Sequence, residues 1–587
     1  MHGGSRRLIV RGVVLALGLL VLGGGWIGWR SRHVQHELVA ARGDLAGVQS
    51  ALLAGDAAEA RTRLAAARRH TSRAHAATSD PVWWLAALPP YLGNSARAAR
   101  AVTAAADRFT STVAPTLLDA AGALAPERLR PAGDRIAVDA ITRVRPTLAL
   151  TQQEIARSRG ELDGTSRRWV LGPVRDGLAT VRAGFDEASV RIADADRAAR
   201  LLAPLLGAGG PRRYLVVFQN SAEARGTGGL PGMYAVLSVR AGRVRLDRFG
   251  SNVDLASARA VPVDLGPEYR DLWGPDPALW ANSNLDPHFP YAARIWLALW
   301  HRQTGQRLDG VVATDPAAMS YLLGATGPVE LPGGELLTAA TLVPLTMRDV
   351  YARYPDQARQ NAFLRSVAGT AMRAVLGGRG SPRAMLAALS RASRERRLLV
   401  YSAHPGEQRD LAGTALAGEL PAGPGPFAQV VVNNVAGSKM EYYLERSITY
   451  TGAGCAEGER STRLAIKLGN TVRPGQRLPS YVAQRLDSST ETRSQSAALG
   501  SVVVMVSVWG ARDAGVVTAT LDGAPLAVAS ATERGRPVWS FPVVVPPGAA
   551  RTADLRIVEP ASAAPAVVPV QPLVRPAQVR ISMAACR

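Results

Sequence analysis

The stretch YLVVFQNSAEARGTGGLPGMYAVLSVRAGRVRLDRFGSNVD, Tyr214 to Asp254, decides how the fold of this chain is read. Tyr214–Phe218 is short, apolar and rich in β-branched and aromatic residues, which predicts a strand buried on both faces. The polar residues that follow predict a loop. Gln219, Asn220, Glu223 and Arg225 fall within seven positions, and Gly226, Gly228, Gly229 and Gly232 suit positive φ and close approach to a ligand. Such a loop can hold an anion; it reads equally as a tight turn in which Glu223 and Arg225 form an ion pair. Met233–Arg240 and Arg243–Phe249 then predict a hairpin joined at Ala241-Gly242.

Working outward, Leu205–Pro211 reads as a hinge into this region, and the proline-punctuated Val261–Pro290 reads as loop. Tyr291–His301 has helical spacing, Leu308–Thr314 reads as a short strand, and Asp315-Pro316 caps a helix reaching about Gly324. Gly327–Leu331 is a last short β element. This order of strands and helices predicts a central three-layer α/β domain. Met347–Ala374 is amphipathic: Arg348, Arg353 and Arg359 lead into Phe363, Leu364, Val367 and Met372. Either its arginines form a solvated face, or those at the helix start point into a phosphate site.

At 587 residues the chain is long enough for three or four units of about 100–200 residues. The boundaries read as 1–30 (tail and membrane anchor), 31–205 (helical stalk), 206–426 (α/β domain) and 427–587 (β-sandwich). The net charge of +22 comes almost wholly from 67 arginines, the two lysines being Lys439 and Lys467. Arginine forks suit phosphate and carboxylate, and a GC-rich coding bias produces the same composition.

Val13–Trp29 is a charge-free apolar run preceded by Arg6, Arg7 and Arg11, which predicts an N-terminal transmembrane helix acting as an uncleaved signal anchor. Most of the chain is then extracytoplasmic, on the outer side of the cell membrane. That compartment makes nucleic acid a poor partner for the basic surface and favours lipid headgroups or anionic wall polymer. Val34 to about Ala203 is dominated by strong helix formers between Pro-bearing turns and predicts an extended α-helical stalk. Its His33, His36, His70 and His75 read as solvent-facing, and Val82–Leu85 as an aromatic patch packed between helices or lying at a membrane.

Beyond Phe427, eight short β-rich segments predict a C-terminal β-sandwich: Ala428–Val432, Tyr442–Tyr450, Thr462–Leu468, Ser501–Trp509, Val516–Leu521, Val538–Val545, Ala553–Ile557 and Val579–Met583. The only cysteines, Cys455 and Cys586, both lie in it; in an oxidising compartment they read as one disulfide.

Together the Tyr214–Val239 segment, NSNLDPHFP, LDGVVATDPAAMSYLLGATGPVEL and ARQNAFL resemble the family called domain of unknown function 4012, over about residues 211–410. More distantly, the same order is similar to the LytR-CpsA-Psr family. That resemblance implies a membrane-anchored envelope protein binding a polyprenyl (pyro)phosphate-linked glycopolymer and transferring it to the wall, with a magnesium ion. Carried over, it implies a pyrophosphate ligand at Arg225, Arg248 or Asp254 near the post-hairpin Arg-Asp, and Arg359-Gln360 at the helix start. The chemistry of the residues themselves adds Asn220, Gly228, Gly229 and Arg348 as ligand-binding candidates, with Glu223 or Asp254 as catalytic base and Asp254 on the metal. The chain departs from that pattern: Arg248 and Asp254 are separated, Asp247-Arg248 is in reverse order, and Asn220 and Glu223 stand where an Asp is expected. Transferase and noncatalytic binder of wall polymer or partner proteins therefore remain the two readings. No P-loop, GxSxG, HExxH or paired-cysteine metal spacing supports another enzyme class.

Overall fold

Alternation along Tyr214–Phe218 sends Leu215 and Val217 to one face of a sheet and Val216 and Phe218 to the other, and each face meets its own layer of helix. The computed structural model describes residues 4–91, 93–129, 135–166, 168–378, 380–484 and 497–586, with the side chains of 4–24 and 53 outside that description. Contacts divide the chain into two compact units. One is helical and ends at Ala203; the other runs onward from Pro204.

In the second unit a five-stranded sheet has the order β3-β2-β1-β4-β7, with β1 Arg212–Arg225, β2 Gly228–Arg240, β3 Arg243–Ser251, β4 Gly310–Thr314 and β7 Leu398–Ser402. Only the β1–β4 pair is parallel. Helix Phe289–Thr304 packs Phe289, Ile295, Trp296 and Trp300 onto Leu215 and Val217. On the opposite face, Met319 and Leu323 of helix Pro316–Thr326 and Val367 and Ala371 of helix Gln357–Leu376 cover Val216 and Phe218. The expected three layers are present, and Asp315 caps its helix by accepting from Ala318 N at 2.8 Å. A small hairpin, β5 Val329–Glu330 and β6 Leu336–Leu337, follows.

The stretch read as a polar loop is strand. β1 continues through Gln219–Arg225 and β2 begins at Gly228, so strand, loop and hairpin become a three-stranded meander with a bulge between Asn220 and Ala224. Two further readings need correction. Met347–Ala374 is not one helix: it breaks after Arg353, and Asp356 caps a new helix at Gln357, accepting from Arg359 N at 2.8 Å. Val261–Pro290 contains the helix Pro267–Trp273 and two 3₁₀ turns.

The eight β segments beyond Phe427 all form strands in two facing sheets. One has the order β13-β12-β16-β10-β9-β17, from Ala524–Pro525, Gly515–Leu521, Ala550–Pro560, Glu459–Asn470, Leu444–Gly452 and Gln578–Met583. The other has the order β14-β15-β11-β8, from Ala529–Glu533, Arg536–Val545, Val502–Trp509 and Gln429–Asn434. As their unbroken apolar run implies, Val502–Trp509 are central and nearly all buried. Leu444, Ile448 and Tyr450 face the shared core with Val504, Val506 and Phe541. The Pro-rich 560–576 segment covers the free edge of β8: Val567 bridges Phe427 and Val570 bridges Val430, shielding backbone groups that would otherwise template another chain.

The first unit is built of helices, chiefly Gly4–Ala54, Ala57–Thr78, Asn94–Arg108, Val138–Asp163 and Gly172–Leu205. Among the described residues no helix is long and apolar enough to cross a membrane. The run Val13–Trp29 lies within helix Gly4–Ala54, and the side chains of its residues as far as Gly24 lie outside the described residues. Of the four histidines read as solvent-facing, His33 and His36 are exposed, whereas His75 is half-buried and so is His70, bonded through Nδ1 to the buried Glu37 at 2.5 Å.

Cys455 and Cys586 are bonded to one another across 131 positions, tying the chain's end beside β17 to the turn after β9. Loop closure of that length places the effect of Cys586→Ser at about 2–4 kcal/mol of lost stability. Denaturant unfolding of the variant against the parent measures it, and thiol labelling of unreduced, denatured parent should find no free thiol.

Candidate functional site

The bulge in β1 fixes where the polar residues go. Ser221, Ala222 and Glu223 have no partner in the β2 register, so Glu223 is turned out of the ladder toward the turn between β8 and β9. There its carboxylate accepts from Lys439 Nζ. Both side chains are buried, and the ammonium also sits 5.1 Å from the Tyr351 ring and 4.7 Å from the Tyr481 ring. Burial alone would push the Lys439 pKa down; the Glu223 carboxylate and the two tyrosines reverse this, and the net shift is upward. Lys439 is therefore held as the ammonium.

Arg225 is engaged by the protein itself. Its guanidinium is buried and donates to Ala281 O at 2.8 Å, Ala224 O at 2.8 Å, Asn434 O at 3.2 Å and Asn282 Oδ1 at 3.2 Å. Gln571 then donates from Nε2 to Arg225 O at 2.8 Å and to Val432 O at 2.9 Å, while its Oε1 accepts from Val432 N at 3.0 Å. Arg225 thus joins the α/β sheet to the sandwich, and its ion-pair reading with Glu223 gives way to Glu223–Lys439. Below them the fully buried Glu441 accepts from Asn434 Nδ2 at 2.6 Å and from Ala224 N at 3.1 Å. Burial, only partly offset by those bonds and by Arg225, pushes its pKa up to about 7.

The NSNLDPHFP motif serves the same junction. Asn284 donates to Gln219 Oε1, Thr227 Oγ1 and Gly229 O. Asp286 and Glu533 are both buried and both have raised pKa values, burial being the first cause, with each carboxyl held by a tryptophan, Trp273 or Trp509, through its indole N–H. Of the glycines expected at positive φ, only Gly228 has it, at 140°. Gly229 is required by space instead: a Cβ there would meet Asn220 O at 2.2 Å.

Beside this junction lies a cavity of ≈ 200 Å³ between β1, β2 and helix Gln357–Leu376. One stripe of that helix lines it at helical spacing: Gln357, Gln360, Asn361, Leu364, Val367 and Ala371. The stripe is graded. Amides stand at the helix's start, where Gln357 donates to Tyr481 Oη at 3.4 Å, and aliphatic groups follow, Val367 and Ala371 clustering with Met319 and Leu342; Asn220, Glu223, Leu230, Met233, Tyr351 and Lys439 also line the wall. Gln360 is 2% exposed; its Nε2 donates to Tyr354 O at 2.7 Å and its Oε1 has no partner. Asn220 donates to Tyr351 Oη at 3.2 Å and accepts from Ala222 N at 3.1 Å.

The residues carried over from the resemblance therefore separate into groups. Asn220, Glu223 and Gln360 line the cavity; Arg225, Arg248, Arg348, Arg359 and Asp254 do not. Arg359 is 74% exposed beside Asp356, Arg348 is exposed and pairs with Asp349 at 2.6 Å, and Arg248 lies over the Tyr234 and Trp300 rings. Asp254 accepts from Ser251 N at 2.9 Å. With Glu223 on Lys439 and Asp254 on a backbone amide, the carboxylates do not converge, and among the described residues no cluster of three acidic, His or Cys side chains could hold a metal. Magnesium does not fit this arrangement. Sequence reading missed Lys439, Tyr351, Tyr481 and Glu441. The one available signal was the rarity of lysine: 439 is one of two lysines against 67 arginines.

A family model described as protein of unknown function (DUF4012) matches residues 209–351, so this chain carries a domain of that family. The match covers the meander, helix Phe289–Thr304 and the wall of the cavity as far as Tyr351. No curated protein matches. A solved structure, described as a "putative nutrient binding protein" from Legionella pneumophila subsp. pneumophila str. Philadelphia 1, aligns at 9% identity over 24% of this chain and 44% of that one, with a TM-score of 0.15. At that score the likeness carries no argument.

Two measurements test the junction. Removing one member of a buried ion pair strands the other, so Lys439→Met should cost about 3–5 kcal/mol, and adding Glu223→Gln should recover part of it; additive losses in denaturant unfolding would contradict the pairing. For Glu441 the folded pKa of about 7 lies above the ordinary value of 4.5. Its contribution is thus fully present below about pH 4.5 and lost as pH rises through about 7. Between pH 4.5 and 8, Glu441→Gln should gain up to roughly 3 kcal/mol on the parent, and an unchanged difference would refute the shift.

Proposed function

We propose that this chain is a membrane-anchored envelope protein whose DUF4012-containing unit binds the head-proximal part of a lipid-linked glycan of the polyprenyl type, and binds it without transferring it. The observation that carries this reading is the graded cavity wall, with amides at one end of a helical stripe and hydrocarbon at the other. An amphipathic ligand matches that gradient better than a wholly polar or a wholly apolar one. By the scale of a 150 Å³ cavity that takes benzene, a space of ≈ 200 Å³ takes roughly eight to ten carbons. That corresponds to the first two isoprene units of a longer chain.

Charge favours a hydroxylated head at the polar end over a pyrophosphate. Lys439 is the cation on the wall and is neutralised by Glu223, while the expected arginines are elsewhere. Gln360 Oε1 is a buried acceptor awaiting a donor, as a sugar hydroxyl is. The LytR-CpsA-Psr likeness contributes the ligand class alone. Phosphoryl transfer rests on charge placed at the reacting oxygens, and Glu223, Arg225 and Asp254 are all engaged by the protein itself. Anchoring follows from Val13–Trp29, and the Cys455–Cys586 bridge suits an extracytoplasmic location.

Geranyl β-glucoside titrated into the full chain in nanodiscs tests the reading. Leu364→Trp, which fills the cavity, should weaken binding at least about tenfold, whereas Arg359→Ala should leave it within about twofold, since an exposed charge contributes little. Binding that survives Leu364→Trp and is lost in Arg359→Ala would overturn the cavity as the site.

A further inference from the structure

In the helical unit, large apolar side chains are exposed together at one end. Trp26 donates from Nε1 to Asp80 at 3.1 Å, and Asp80 caps helix Pro81–Ala86. Ile27, Trp83, Ala96 and Val174 pack into one cluster there. Asn94 donates to Arg168 O at 2.7 Å and Leu171 N donates to Ser95 Oγ at 3.0 Å, which brings the 168–171 turn against the start of helix Asn94–Arg108. Around this cluster Trp29, Trp84, Leu85, Leu88, Tyr91, Trp169 and Leu171 are all more than half exposed. Large apolar side chains exposed together on neighbouring turns mark a contact surface, to a partner or a membrane.

The backbone presents two of these rings at a cost. Tyr91 has φ 64° and Trp169 has φ 60°, a region that bulky residues seldom occupy. Both are exposed, at 67% and 76%, so neither conformation is compensated by packing within the described unit. The turn before Tyr91 is also tightly built, since a Cβ on Gly93 would meet Ala87 O at 2.6 Å. Rigid turns that hold out tryptophan and tyrosine match the interface between hydrocarbon and headgroups, where amphipathic rings partition. The covering partner is indicated by the chain itself: the apolar run Val13–Trp29 ends at this cluster, with Ile27 packed into it, Trp26 bonded to Asp80 and Trp29 beside Trp26. Exposed Arg32 and Arg168 flank the patch and suit anionic lipid.

We propose that this end of the helical unit is a second membrane contact, an aromatic collar formed by Trp84, Leu85, Leu88, Tyr91, Trp169 and Leu171 that seats in the headgroup layer around the anchor. The proposal rests on the reading of Val13–Trp29 as a bilayer segment. Full chain is reconstituted in nanodiscs of phosphatidylcholine with phosphatidylglycerol, with a bimane placed at one introduced cysteine and doxyl lipid as quencher. The positions are Leu171→Cys in the collar, Gly25→Cys in the apolar run, and Val190→Cys, exposed on the same unit and about 27 Å along helix Gly172–Leu205 from its start. Quenching at positions 25 and 171 and not at 190 is the expected result. Quenching at 25 alone overturns the collar while leaving the anchor, and quenching at none of the three overturns both. Equal quenching at 171 and 190 also overturns the collar, because a unit lying flat on the bilayer has no specific seat. Folding of each variant is checked independently of lipid by comparing its helical far-ultraviolet circular dichroism in detergent with that of the parent.

Discussion

The second unit depends on one buried ion pair. Glu223 leaves the β1 ladder at a bulge to meet Lys439, and everything around the pair is arranged so that two desolvated charges and their neighbours are satisfied. Arg225, two residues on, spends its guanidinium on carbonyls from both sides of the junction, and Gln571 closes the same seam from the C-terminal segment. A hairpin tip this polar could not be buried by the α/β sheet alone. The sandwich supplies Lys439, Asn434 and Glu441, and in return the tip supplies Arg225, which donates to Asn434 O. Residues whose chemistry suggests a ligand site are thus the means by which two differently built halves become one unit.

The same constraint shapes the cavity. Because Lys439 is held at the junction by Glu223, Tyr351 and Tyr481, its charge stands at the polar end of the helix Gln357–Leu376 stripe without being available to an incoming phosphate. What remains for a ligand is hydrogen bonding from amides and a hydrocarbon wall. Binding and architecture therefore share residues, and a substitution at the pair would disturb both.

Most of the architecture was legible in the sequence because it follows period and punctuation. Tyr214–Phe218 alternates between two helix layers, Asp315-Pro316 starts its helix, and the eight β segments beyond Phe427 each form a strand. Polar composition misled at Gln219–Arg225. Buried polar strand and exposed loop look alike locally, and the difference lay in partners far along the chain: Asn284 for Gln219, Lys439 for Glu223, Asn434 for Arg225. For the same reason Arg359 and Gln360 both read as ligands, and only Gln360, one position around the helix, is on the cavity wall. Helical spacing from Leu364 and Val367 points to Gln360 and Gln357 on their face, which was the available clue.

The position of a bound amphipathic ligand decides between cavity and arginine surface most directly. A crystal structure with a bromine-bearing geranyl glucoside locates it without reference to any variant. The anomalous bromine peak is expected among Met233, Met319 and Leu364, with the sugar toward Gln360. A peak beside Arg359 or Arg348, with the cavity empty, would contradict the cavity as the site.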